Sequence, residues 1–121
     1  MASDVRDHEV MRILTAVSIA GAWLAMAGVA AAQDSARGAK VYADQKCAVC
    51  HSIAGKGNAK GPLDDVGSRL KADGIRDWMT DPAAMTKKTN ADRKPAMRAY
   101  PDLTKEELQN LTAYMLSLKK K

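Results

Sequence analysis

The residues of this chain best suited to chemistry are Cys47, Cys50 and His51, in the run Cys47-Ala48-Val49-Cys50-His51. On a helical turn, positions i, i+3 and i+4 share one face, so two thiols and an imidazole point the same way. Two thioethers can then form to the vinyl groups of one porphyrin, while a ring nitrogen of His51 is offered to its iron. Cys-x-x-Cys-His is the attachment pattern of c-type haem, and the three side chains together set the position, orientation and one axial ligand of such a group. Two other chemistries use Cys-x-x-Cys. A zinc site needs a fourth ligand, and the chain has only two cysteines. A dithiol redox pair belongs in a βαβ setting, of which the sequence gives no sign.

The elements that must position these residues begin after an apolar leader. Residues 13–32 carry no charge and are dominated by Ala, Val, Ile, Leu and Met. They follow Arg12 and end in Ala30-Ala31-Ala32, a small-residue site of the kind signal peptidase accepts, before polar Gln33-Asp34-Ser35. Residues 1–32 therefore read as a secretory signal peptide, and residues 33–121 as one domain. Asp4, Asp7 and Glu9 against Arg6 do not make a basic leader, which points to Met11 as the true start. The rival reading is an uncleaved membrane anchor, because about twenty apolar residues suffice to cross a hydrocarbon core. The Ala-rich end favours cleavage. Either way the globular part is expected outside the cytoplasm, in the periplasm. His8 leaves with the leader, and His51 is then the sole histidine.

The whole chain carries 19 Lys and Arg against 14 Asp and Glu, net +5. Two of the basic and three of the acidic residues fall before residue 33, so the domain itself is more basic still. Its compartment, the spread of its charges and the lack of interleaved stacking aromatics argue against nucleic acid. A positive surface that steers towards acidic partners is the simpler reading. The domain has no Phe, and its aromatics are Tyr42, Trp78, Tyr100 and Tyr114. A core this small has difficulty standing alone, and a covalently held porphyrin would supply an apolar centre.

No stretch alternates with the period of a β-strand, and the domain reads as all-α, with three to five short helices. Ser35 is the expected cap of a helix running through Gly38, Val41 and Tyr42 towards Cys47. Asp81-Pro82 is an N-cap followed by proline at the first helical position, opening a short turn through Met85. Thr104-Lys105-Glu106-Glu107 is a capping box, and Leu108, Leu111, Tyr114, Met115 and Leu118 then fall on one stripe. Lys119, Lys120 and Lys121 suit the negative end of that helix. Lys87 to Lys94 are polar and highly charged and give no readable conformation.

Over nearly its whole length the domain resembles the small bacterial class I cytochromes c. Gly38 and Tyr42 precede Cys47-x-x-Cys50-His51. Gly61-Pro62-Leu63 follows, with Gly67 and Arg69 behind it. Met97-x-x-Tyr100-Pro101 leads into a last helix bearing Leu111-Thr112-Ala113-Tyr114. The resemblance implies one covalently attached haem c and a set of roles. Gly38 lets the first helix cross closely against the last near Tyr114. The Pro62 carbonyl binds the second nitrogen of His51, and Trp78 gives its indole N–H to a haem propionate. Among the axial candidates opposite His51, Met79 sits beside Trp78 in a helix and Met85 fills core. Met97 follows the long polar loop and stands three residues before Tyr100-Pro101, the family's spacing; a lysine or an open position are the remaining options. Arg98 after Met97 departs from the proline common there.

The expected function is that of a monomeric carrier of single electrons, not an enzyme. It would dock transiently on acidic redox proteins through Lys46, Lys56, Lys60, Lys87, Lys88 and Lys94, and meet a membrane only if the leader stays attached. The alternative is a haem c subunit of a larger periplasmic oxidoreductase acting on sulfur compounds or alcohols. A gas-binding haem with an open axial position is the third.

Overall fold

A computed structural model of the protein describes residues 34–121; the expected leader over residues 1–32 lies outside the described residues. Residues 34–44 are helical (α1), and the chain turns at Lys46, in the left-handed region with φ 55°. A 3₁₀ turn, Cys47–Val49, leads into a two-stranded antiparallel ribbon, β1 Ser52–Ile53 and β2 Lys56–Gly57. Four more helices follow: α2 Val66–Arg69, α3 Ala72–Thr80, α4 Pro82–Thr89 and α5 Lys105–Ser117. The all-α expectation is met apart from the ribbon. Strands of two residues are too short to show alternation. Their link, Ala54-Gly55, takes positive φ at both positions (51° and 74°), the signature of a tight two-residue hairpin turn. Among the described residues no helix is long and apolar enough to cross a membrane.

Gly38 sets how α1 and α5 meet. A Cβ there would lie 2.6 Å from Tyr114 Cβ and would collide with the Asn110 carbonyl, so only glycine allows this crossing. Tyr42 and Tyr114 then stack edge to face, centroids 6.0 Å apart. The core gathers Val41, Val66, Ile75, Met79, Leu111 and Met115, with α3 packed most extensively on α5. The capping box of α5 is present: Thr104 Oγ1 accepts from Glu107 N–H, and Glu107 Oε2 accepts from Thr104 N–H.

Three local expectations need correction. Ser35 lies within α1, and its hydroxyl donates to Ser117 Oγ at 3.2 Å. The helix opened by Asp81-Pro82 runs past Met85 to Thr89, where Asn90 ends it in the left-handed region. Lys87 and Lys88 thus complement the helix's C-terminal dipole, and the unreadable stretch is in part helical. Finally α5 stops at Ser117, so its last turn holds no lysine. The tail beyond it runs onto α2 instead, Gly67 N–H donating to Leu118 O at 2.8 Å and Lys120 N–H to Ser68 Oγ at 2.9 Å.

Candidate functional site

Cys47, Cys50 and His51 occupy a single turn. Cys50 N–H and His51 N–H both donate to the Cys47 carbonyl, at 3.1 and 2.9 Å, so the i, i+3, i+4 arrangement is realised as one tight turn. Both cysteines are free thiols. Cys47 is half-buried and Cys50 exposed; burial pushes the Cys47 thiol up from its ordinary pKa.

The ribbon clamps this turn. Asn58 N–H is shared between Ala48 O and His51 O at 3.1 and 2.9 Å, and its side-chain amide donates to Val49 O at 3.1 Å. Gly57, with φ 105°, passes so close to the turn that a Cβ would overlap the His51 carbonyl. The sequence reading missed Asn58; only the neighbouring glycines hinted at a tight approach there.

His51 Nδ1–H donates to the Gly61 carbonyl at 3.1 Å, which fixes the tautomer and leaves Nε2 as the metal-binding nitrogen. Burial lowers the His51 pKa, opposed by the Gly61 hydrogen bond and aided by the Arg93 charge. Both the burial and the Nδ1–H bond to Gly61 suit the neutral imidazole that a ligand must be. The expected acceptor was Pro62, and this is corrected by one residue. Ser52 and Pro62 form a parallel bridge, in which Ser52 N–H donates to Gly61 O and Leu63 N–H to Ser52 O. That pattern turns the Gly61 carbonyl inward. Pro62 itself is exposed and does not line the cleft.

A largely apolar cleft of about 470 Å³ opens beside Cys50 and His51, lined also by Trp78, Met97, Arg98 and Tyr100. A smaller pocket of about 50 Å³ reaches Cys47 and again touches His51 and Met97. Met85 is buried and lines neither. The Arg98 guanidinium lies over the Tyr100 ring, 5.2 Å from its centroid, and Tyr100 N–H donates to Met79 O at 2.9 Å. Those two contacts anchor the far end of the loop that carries Met97. Among the described residues no cluster of three or more His, Cys, Asp or Glu could hold a metal unaided, so the zinc alternative lacks its ligands.

Residues 35–119 match the family model of cytochrome c. The chain belongs to the cytochrome c family. It is also 33% identical over 92 residues to cytochrome c oxidase subunit 2 of Alkalihalophilus pseudofirmus, a match covering 69% of this chain and 25% of that protein. The chain thus spans about a quarter of that relative's length. No solved structure matches.

Membership of the cytochrome c family makes haem c the cofactor and haem-based electron transfer the function. The residues present fit that group. Two free thiols and an imidazole share one turn, with Cys50 and His51 on the wall of an apolar cleft and Cys47 on the pocket beside it, and the cleft is within the size range of cofactor sites. The composition argument, a core lacking its own apolar centre, corresponds to this cleft.

Proposed function

We propose that the protein is a monomeric, exported carrier of single electrons, working in the periplasm, whose haem iron is held by His51 and Met97. The observation that supports this most is that His51 and Met97 line the same cleft and the same inner pocket. Met79 and Met115 touch the inner pocket too, but both are buried members of the helical core, whereas Met97 belongs to a loop. The haem supplies, when bound, an iron that takes up and returns one electron. Cys47 and Cys50 hold it covalently, and Gly61 keeps the His51 ring oriented. A thioether from Met97 raises the reduction potential relative to a second histidine. Were His51 and Met97 both to hold the iron, no ligand position would be left for a substrate, which suits a carrier rather than a catalyst. Trp78, on the cleft wall, would give its indole N–H to a propionate.

Lys46, Lys56, Lys60, Lys87, Lys88 and Lys94 are all exposed and would form the rim that meets acidic redox partners. Such encounters are small and transient. Exposed charges are screened beyond roughly 10 Å at about 0.1 M salt, so electron transfer to an acidic partner slows as ionic strength rises; an indifferent on-rate removes the lysines from this role. The mass and visible spectrum of protein matured with haem-attachment machinery test the rest. Two thioether bonds, a cleaved leader and a sulfur-to-iron band that resists carbon monoxide are expected, and a spectrum that responds at once to carbon monoxide contradicts the axial assignment.

The likeness to an oxidase subunit supports a second arrangement, in which the same domain serves a larger respiratory assembly. A partner that stays bound through purification distinguishes it from a free carrier.

A further inference from the structure

Arg93 brings to the cleft a charge that the carrier reading leaves without a role. It is half-buried, it lines the cleft, and among the described residues it has no ion-pair partner. Its guanidinium is seated on Gly61, where an added Cβ would lie 3.0 Å from Arg93 Cζ and would collide with a terminal nitrogen. Gly61 is the residue whose carbonyl receives both His51 Nδ1–H and Ser52 N–H. A positive charge therefore stands beside the peptide that orients the ligand imidazole, in a seat that a side chain at residue 61 would occupy.

We propose that Arg93 sets the reduction potential from the histidine side, its charge on Gly61 disfavouring the oxidised, more positive state of iron bound by His51. This rests on the haem reading above. A cation opposes every further positive charge nearby, and half-burial leaves that opposition less screened than at the surface. Outer partners of a ligating histidine tune metal sites in this way. An arginine that left Gly61 to pair with a haem carboxylate would act differently, through the ionisation of that carboxylate.

The test is spectroelectrochemistry on the haem-loaded protein with Arg93→Gln and Arg93→Lys. The visible spectrum of the unaltered protein comes first; failure to carry covalent haem overturns the haem reading and this inference with it. With haem attached, Arg93→Gln is expected to lower the reduced-to-oxidised ratio at a fixed poise about threefold to tenfold, tenfold being about 59 mV for one electron. The fall should be uniform from about pH 3.5 to about pH 8, across the carboxyl range, and Arg93→Lys should recover most of it. An unchanged ratio overturns the inference while leaving the haem reading intact. So does a lysine variant as low as the glutamine one, or a fall confined to the pH range where a carboxylate is ionised. Should Arg93→Gln not load haem, Arg93→Met keeps the apolar stem and should show the same fall; failure of both to load assigns Arg93 to folding and overturns the inference.

Discussion

Two stretches border the cleft and are held in very different ways. Between Cys47 and Leu63 the backbone N–H groups of Val49, Cys50, His51, Ser52, Asn58, Gly61 and Leu63 all find backbone acceptors in turns and loops. The stretch from Ala91 to Tyr100, which carries Met97, is tied at its ends, by Ala91 N–H to Thr86 O and Tyr100 N–H to Met79 O. Among the described residues, no backbone hydrogen bond is donated from residues 92–99. The histidine side is thus a frame built by the polypeptide itself. The methionine side is a strap fixed at two points, and low hydrogen-bond density of this kind marks the segments that open most easily. On the proposed His51 and Met97 ligation, such a division would let the chain define where the cofactor goes before Met97 engages.

The largest effect should come from the attachment turn. Replacing both Cys47 and Cys50 with Ala should abolish covalent haem and leave a chain that unfolds readily, its apolar cleft open to water; a cooperative, haem-free fold seen by calorimetry would show that the frame needs no cofactor. Next comes the strap. Met97→Ala should lower the reduction potential, erase the sulfur-to-iron absorption and admit carbon monoxide, with the helical circular dichroism nearly unchanged. The same spectral losses from Met85→Ala but not from Met97→Ala would move the axial ligand elsewhere.

Within the frame, Gly61→Ala places a methyl group against the Cys50 carbonyl and the Arg93 guanidinium, and overpacking of this sort costs about 1–3 kcal/mol. Denaturant titration should show that loss, together with a disturbed histidine side. Asn58→Ala removes the side-chain bonds to Val49 O and from Lys60 N–H, each worth about 1 kcal/mol; the midpoint should drop modestly while the visible spectrum stays the same. The smallest effect appears only in strong base. Burial pushes the Tyr42 hydroxyl up to about 12 from 10.0. The unfolded chain then loses this proton first, so the associated stability is complete below pH 10 and fades as pH rises towards 12. Tyrosinate absorbance that develops at the ordinary pH for all tyrosines would place Tyr42 in solvent.

Much of this difference between frame and strap was legible in the residues. The attachment turn announced itself because its chemistry demands three side chains at fixed spacing. The capping box at Thr104 and Glu107, and the close approach at Gly38, follow from local stereochemistry or match a family pattern along the chain. Other features depended on peptide orientations that side-chain types do not encode. Whether Gly61 or Pro62 turns its carbonyl inward is decided by the bridge to Ser52, a contact with a residue nine positions earlier than Gly61. The ribbon escaped notice because two residues cannot show a period. The extension of α4 to Thr89 escaped because its last turn is all polar, its end set by Asn90 adopting positive φ. Arg93 falls in the polar stretch from Lys87 to Lys94, and its residue type does not show that it rests on the bare α-carbon of Gly61.

The crossing at Gly38 also has a consequence in time. Ser35 and Ser117, joined side chain to side chain, are 82 residues apart, and contacts of such span form slowly compared with a single helix. A chain delivered from its N-terminus presents Cys47, Cys50 and His51 long before Asn110 and Tyr114 arrive to meet Gly38. The attachment turn is thus synthesised well before the helix that completes the crossing with α1.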